Sequence, residues 1–300
     1  VLLVDLDLPL VGGIDVRREL RSRSESCDTP IIFLSDERLS QERLARCLDA
    51  GAHDYLIKPV DESELLTRVH VALRERMLRD AYRRLATEDP VTRLSNRRQT
   101  MHEIERAIEL AAELAMPAQL LLCDVDHLAD INKRFGYDLG DEVILTQSRL
   151  LRRLVSPDIK AGRIGGEEFI LLMSGTTPEF AMSVAQSLQR TFSAIVFDAV
   201  TDPKHFSVSI GLTSYTGQPA SFTVDQFLTQ ADLALAVAKS KERDRVVAYW
   251  QLDPHSLPRL DSPQRHARLG DRQRRPRSSI SPVAESQIAL PKVAKNHDAK

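Results

Sequence analysis

Three hundred residues with 42% hydrophobic side chains can bury a sizeable core and suffice for two domains. A net charge of −2 gives no global pull toward nucleic acid, and no apolar run nears the ~18 residues of a membrane span. Three scattered cysteines (Cys27, Cys47, Cys123) and eight histidines without paired spacing exclude a disulfide framework and a zinc site, and without a signal-peptide pattern the chain is expected to be cytoplasmic.

The chain opens at Val1 in mid-strand, with no initiator methionine, so an N-terminal piece is expected to precede it. Residues 1–60 alternate short apolar strands with polar helical stretches, the pattern of a parallel α/β sheet. Val1–Val4 runs into Asp5, Ile31–Leu34 into Ser35, and Tyr55–Ile57 into Lys58-Pro59. Each strand delivers a polar residue to its carboxyl end, where open α/β sheets place their sites. These residues resemble the later half of a response-regulator receiver domain. The resemblance makes Asp5, with Pro9 and Gly13 beyond it, the phosphoacceptor strand and loop. It makes Ser35 the hydroxyl that meets the phosphoryl group, Lys58 the partner lysine and Tyr55 the aromatic switch. The acidic pair that would hold Mg²⁺ belongs to a first strand outside this sequence, so normal phosphorylation of this stretch alone is not expected. In the complete protein a histidine kinase is the implied partner.

From Asp61 to Glu88 the pattern is helical, with Leu66, Val69, Leu73, Met77, Ala81 and Leu85 on one side. The first half is expected to face the receiver core, which sets that domain at 1–73. Residues 74–88 then form a charged helical linker able to pair as a short coiled coil. Proline disfavours helix in the residue before it, so the helix ends by Asp89-Pro90.

Residues 89–250 read as a second, α+β domain with an antiparallel-rich sheet. Helices are expected over Thr100–Glu113, Ala129–Phe135, Glu142–Leu154, Pro178–Phe192 and Val224–Lys241, and strands over Gln119–Cys123 and Phe206–Leu212. Between them lies Arg163-Ile164-Gly165-Gly166-Glu167-Glu168-Phe169, then the apolar run Ile170–Met173. Paired glycines suggest a tight hairpin at φ > 0, with two carboxylates at its tip. Carboxylates this close repel unless a cation relieves them, which invites a divalent metal. A second acidic strand end, Leu120–Asp126, lies upstream and would bring Asp124 beside Glu167 and Glu168 if it paired antiparallel with the hairpin. Residues 251–300, rich in proline, serine and arginine, read as a disordered basic tail.

The second domain resembles the GGDEF family of diguanylate cyclases. The stretch Asp89-Pro90-Val91-Thr92-Arg93-Leu94-Ser95-Asn96-Arg97-Arg98 is similar to the family's opening. Asp124-Val125-Asp126, Asn132, Gly136, Gly140 and Asp141 follow its spacing. Gly165–Phe169 is its signature with glutamate in third place, and Ser209-Ile210-Gly211 and Ala231-Asp232…Ala238-Lys239 are its later landmarks. The resemblance implies a nucleotidyltransferase that joins two GTP into cyclic di-GMP as a homodimer, using two Mg²⁺ per site, with Mn²⁺ as a substitute. By the same resemblance Asp124, the carbonyl of Val125, Glu167 and Glu168 hold metal, and Glu167 doubles as the base. Asn132 and Asp141 contact guanine, while Lys239 and Arg243 reach the phosphates. The family's Arg-x-x-Asp inhibitory site is absent: Ser156 and Ile159 stand at its positions.

Several residues depart from the family pattern: Leu128-Ala129 for Phe-Lys, Lys133 for an acid, Tyr137 for a guanine-contacting histidine, Ala236 for tyrosine, and Arg93 and Glu242 for glycines. Retention of the metal and guanine carboxylates favours an active enzyme. The alternatives are a weakened domain that binds GTP and regulates a partner, or a palm acting on another nucleotide.

Overall fold

The computed structural model describes residues 1–7, 15–16, 29–197, 205–218 and 221–253. Pro9, Gly13, Cys27 and the tail from 254 onward lie outside the described residues. The chain divides into two compact units, with the boundary after Leu85.

In the first unit β1 (Leu2–Asp5), β2 (Ile31–Ser35) and β3 (Asp54–Ile57) form a parallel sheet in that order. The central strand is the most apolar, and Ile31, Ile32 and Phe33 are wholly buried, as expected for a parallel strand covered on both faces. Helix α1 (Gln41–Asp49) is capped by Ser40, whose side chain accepts from the Arg43 amide, and it sends Cys47 into the core beside Leu6, Leu39 and Phe33. Helix α2 (Glu62–Thr87) is one continuous element of 26 residues.

The inner face of α2 corrects the expected one. Leu66 and Leu73 are 48% and 38% exposed, and the only buried residue of the helix is Ala72. The half-buried positions are Leu65, Val69, Arg76, Asp80, Ala86 and Thr87, so of the expected stripe only Val69 turns inward, and the other inward positions up to Asp80 sit one residue before the expected ones. The Arg68–Asp54 ion pair, at 2.6 Å, ties α2 to β3 in this register. The larger apolar side chains, among them Met77, Leu78, Tyr82 and Leu85, stay exposed.

The second unit is a five-stranded mixed sheet, ordered β5-β6-β4-β7-β8. Its strands are β4 (Ala118–Val125), β5 (Ile159–Gly165), β6 (Glu168–Ser174), β7 (Val208–Tyr215) and β8 (Val246–Ala248). All neighbours are antiparallel except β7 and β8. Five helices cover it: α3 (Arg97–Leu114), α4 (Leu128–Phe135), α5 (Tyr137–Leu154), α6 (Pro178–Ser193) and α7 (Val224–Ser240). Central strand β4 is buried along its whole length and feeds two cores by strict alternation. Leu121, Cys123 and Val125 join the core under α5 and α6; Leu120 and Leu122 join the one under α3 and α7. The even-numbered side of β4, to which Asp124 belongs, therefore faces α7.

Two glycines set these contacts. A Cβ on Gly211 would lie 2.1 Å from the Ala231 carbonyl oxygen and 2.5 Å from the Leu235 amide, so α7 rests directly on the β7 backbone. Gly136, at φ 91°, breaks the chain between α4 and α5 and lets α5 begin at Tyr137, well before the expected Glu142. The expected left-handed glycine turn is not found. The loop is Gly166-Glu167, and the left-handed glycines among the described residues are Gly51, Gly136, Gly175 and Gly217. The reversal is made in Gly166-Glu167, next to a register irregularity between Arg163 and Gly165. A Cβ on Gly166 would meet nothing within 4 Å.

Gly211→Ala is expected to lower stability by about 1–3 kcal/mol through forced separation of α7 from β7, whereas Gly166→Ala changes it by less than about 0.5 kcal/mol. Urea denaturation of both variants checks the contrast.

Candidate active site

The site forms where β4 ends. Asp124 is paired with Glu168 on β6 and with Ser209 on β7, so the antiparallel register brings its carboxylate beside the acidic pair as the sequence suggested. Glu167 sits in the β5–β6 loop, and its carbonyl accepts from the Val125 amide at 3.3 Å. The last turn of α7 brings Lys239 Nζ to 2.7 Å from Asp124 Oδ2, a carboxylate only 6% exposed. Burial pushes the Asp124 carboxyl up to about 7. The Lys239 ammonium pulls the other way without cancelling that effect, and Glu167 and Glu168 add to the rise.

The donors at this corner are hard oxygens, the kind a magnesium-sized ion prefers. Among the described residues no three Asp, Glu, His or Cys side chains converge as they would around an ion. Here Lys239 supplies the positive charge at Asp124. A buried carboxyl with acidic neighbours and one ammonium for relief fits a divalent cation, which would offset charge that burial makes costly.

The signature loop is held from behind. Arg163 donates through Nε and Nη2 to the Gly166 carbonyl, at 3.1 and 2.7 Å, and its Nη1 lies 3.2 Å from Asp89 Oδ1. Its guanidinium also stands 6.0 Å from the centre of the Phe169 ring. Asp89 in turn accepts from the Thr92 amide and hydroxyl, at 2.8 and 2.7 Å. One arginine thus connects the start of this unit to the loop that carries Glu167.

A second group lies at the α4–α5 junction. Asn132 Oδ1 is 1.9 Å from where a Gly140 Cβ would be, so glycine there lets the Asn132 side chain lie against the first turns of α5, where Asp141 follows Gly140 in the chain. Tyr137, the first residue of α5, is 57% exposed, and Leu128 packs against the core under α5 and α6.

Beyond Lys239 the backbone takes an unusual course. Glu242, Arg243 and Asp244 have φ of 74°, 59° and 48°, three consecutive non-glycine residues in the left-handed region. Arg243 Nε comes within 3.9 Å of Asp126 Oδ1. Asp126 is buried and accepts from Ser207 Oγ at 2.6 Å, Ser209 Oγ at 2.8 Å and the Asp244 amide at 3.2 Å. The sequence pattern assigns no site role to Asp126, Ser207, Asp89 or Arg163, although Asp89, Asp126 and Arg163 stand in stretches that it singles out.

In the first unit Asp5 ends β1, Ser35 ends β2 and Lys58 follows β3. Lys58 pairs with Asp5 and lies 3.3 Å from Asp36, and its hydrogen bond holds the Asp5 carboxyl below the usual range. Ser35 Oγ donates to the Glu37 carbonyl at 2.9 Å. Tyr55 is half-buried on β3, opposite Phe33.

Comparison with known proteins follows the same division. The diguanylate cyclase GGDEF domain model matches residues 86–245, and the response regulator receiver domain model matches residues 1–70. Response regulator PleD of Caulobacter vibrioides is 29% identical over 245 residues, covering 78% of this chain and 53% of the relative. Diguanylate cyclase DgcM of Escherichia coli is 31% identical over 184 residues, covering 61% and 43%. The chain therefore spans about half the length of the curated relatives it matches. Among solved structures, the GGDEF domain of DgcB from Caulobacter crescentus in complex with c-di-GMP has a TM-score of 0.52 at 26% identity, covering 55% of this chain and 93% of that one. The coiled coil and GGDEF domain of the same protein gives 0.56 at 25% identity, covering 62% and 98%. No helix among the described residues is long and apolar enough to cross a membrane.

A raised carboxyl binds its proton more tightly in the folded than in the unfolded chain. Asp124 therefore contributes stability that is complete below about pH 4 and is lost as pH rises through about 7. In metal-free buffer the urea midpoint of the unaltered chain is expected to fall over this interval relative to that of Asp124→Asn. Parallel midpoint–pH curves would contradict it.

Proposed function

The chain belongs to the GGDEF diguanylate cyclase family, and from that premise we propose that it condenses two GTP into cyclic di-GMP with release of two pyrophosphates. The observation that carries the reading is the meeting of Asp124, Glu167, Glu168 and Lys239 at one corner of the sheet. In each half-reaction a 3′-hydroxyl oxygen bonds to the α-phosphorus of the other GTP and the bond to pyrophosphate breaks. Glu167 takes the hydroxyl proton. Asn132 and Asp141 bind the guanine edge, the carboxylate accepting from N1 and the exocyclic amine, which favours guanine over adenine. Lys239 and Arg243 bind the phosphates. Glycine at 166 leaves the loop backbone open to a phosphate. Two Mg²⁺ ions, with Mn²⁺ as a substitute, held by Asp124, the Val125 carbonyl, Glu167 and Glu168, would offset charge on the reacting phosphates.

Each domain holds one GTP, so the reaction needs two copies face to face. The exposed apolar residues of α2, Leu78, Tyr82 and Leu85 among them, suit a helix that supports such a dimer. Residues 1–73 serve as receiver with Asp5 as phosphoacceptor, read through Lys58, Ser35 and Tyr55, and residues 74–88 link it to the cyclase at 89–250. In the cytoplasm a histidine kinase supplies the phosphoryl group. A second reading, a GTP-binding module of weak activity, is favoured by Tyr137 and by the left-handed Arg93 and Glu242. Formation of cyclic di-GMP from GTP and Mg²⁺ by the pure chain decides between the two.

Asp124→Asn and Glu167→Gln are each expected to cut product formation by roughly 10²-fold or more while the chain stays folded. Chromatography of the product beside a urea curve checks both points. Product inhibition is expected to be weak. Ile159 is buried in β5 at 2% exposure, and Ser156 Oγ accepts from the Ile159 amide at 3.2 Å within its own turn. Neither residue can grip guanine or phosphate as an arginine–aspartate pair would. Strong non-competitive inhibition by cyclic di-GMP in a turnover assay would contradict this.

A further inference from the structure

The turn that follows α7 is built to place one arginine. Three left-handed residues in a row, none of them glycine, do not persist unless surrounding contacts hold them. Two carboxylates do so here. On the inner side Asp126 accepts from the Asp244 amide while Ser207 and Ser209 hold its two oxygens in place. On the outer side the Asp244 carboxylate accepts from Gln189 Nε2 at 2.5 Å and Ser193 Oγ at 2.6 Å, both on α6. Between them Arg243 is fixed at its backbone by Arg245, whose Nε donates to the Arg243 carbonyl at 3.1 Å. Its guanidinium is drawn toward Asp126, with Nε at 3.9 Å from Oδ1. Asp126 lies two residues beyond Asp124, and Lys239, on the last turn of α7, stands four residues before Arg243, which lies past the helix end.

We propose that Asp126 is a positioning residue, whose buried carboxylate holds the Glu242–Asp244 turn so that Arg243 is presented to the nucleotide phosphates. The proposal deepens the cyclase reading and rests on it. Asp126 touches no substrate; it acts through Arg243. The turn ends α7 abruptly and starts β8, so without its clamp Arg243 would sample many directions, and phosphate binding would have to restrict it each time. The buried charge also keeps Arg243 near the site before nucleotide arrives. Because Asp126 already accepts from two hydroxyls and an amide, it can release the guanidinium to a phosphate without becoming an unsatisfied buried charge.

Binding of the non-reactive analogue guanosine 5′-(α,β-methylene)triphosphate to the full chain, followed by calorimetry, provides the test. Asp126→Asn is expected to raise its Kd about tenfold, and Arg243→Ala by a similar factor. The double variant should be no worse than either alone, since both remove one interaction. Gln189→Ala, at a half-buried position of α6, is expected to weaken binding about two- to threefold by loosening the outer clamp, and it carries the test if Asp126→Asn does not fold. Additive losses in the double variant, or unchanged Kd in both Asp126→Asn and Gln189→Ala, would overturn the positioning role and leave the cyclase reading intact. If the unaltered chain binds no guanine nucleotide, the cyclase reading fails and this inference falls with it.

Discussion

A carboxylate at the buried end of a fully buried strand is the constraint from which the second unit follows. Asp124 lies on the alternating side of β4 that faces α7, and its charge is tolerable only near a cation. Lys239 can provide that charge because α7 lies against the β7 backbone, which requires Gly211 to lack a side chain. Antiparallel pairing with β6 adds the acidic residues that raise its proton affinity. Sheet register, one glycine and one lysine thus make a single electrostatic arrangement, in which removing any one alters the other two.

Much of this was legible in the sequence because it depends on short periods and local order. The apolar strand ending in Asp124, the apolar run of β6 and the acidic pair beside Gly165-Gly166 predicted which strands meet. Local pattern said less where distant side chains decide. The inner face of α2 follows Leu65, Val69 and Ala72, sharing only Val69 with the richer apolar stripe, in the register that the Arg68–Asp54 pair ties to β3. Paired glycines suggested a left-handed turn, yet the chain reverses through Gly166-Glu167 with neither glycine at positive φ, beside an irregularity at Arg163–Gly165. Strand β8, with three residues, is too short to show a period.

The polar clamps were the least legible. Ser207 looks like an ordinary alternating strand residue, and although Ser209 belongs to a family landmark, nothing in the sequence reveals that both bond Asp126. Arg93 and Glu242 show the converse. Their sequence signal was the loss of glycine, and the structure gives its physical meaning, since both sit at left-handed φ, where a side chain costs about 1 kcal/mol. Such strain can be offset by the ladder of hydrogen bonds around Asp126 and Asp244, and around Asp89.

The central position of β4 also bears on how the chain folds. Its neighbour β6 is separated from it in sequence by α4, α5 and β5, and β7 by β6 and α6 as well. Closing such long loops is slow, and little is gained until they close. Asp124, Glu168 and Lys239 come from three such distant segments, so the corner they form depends wholly on long-range closure and gains nothing from local structure alone.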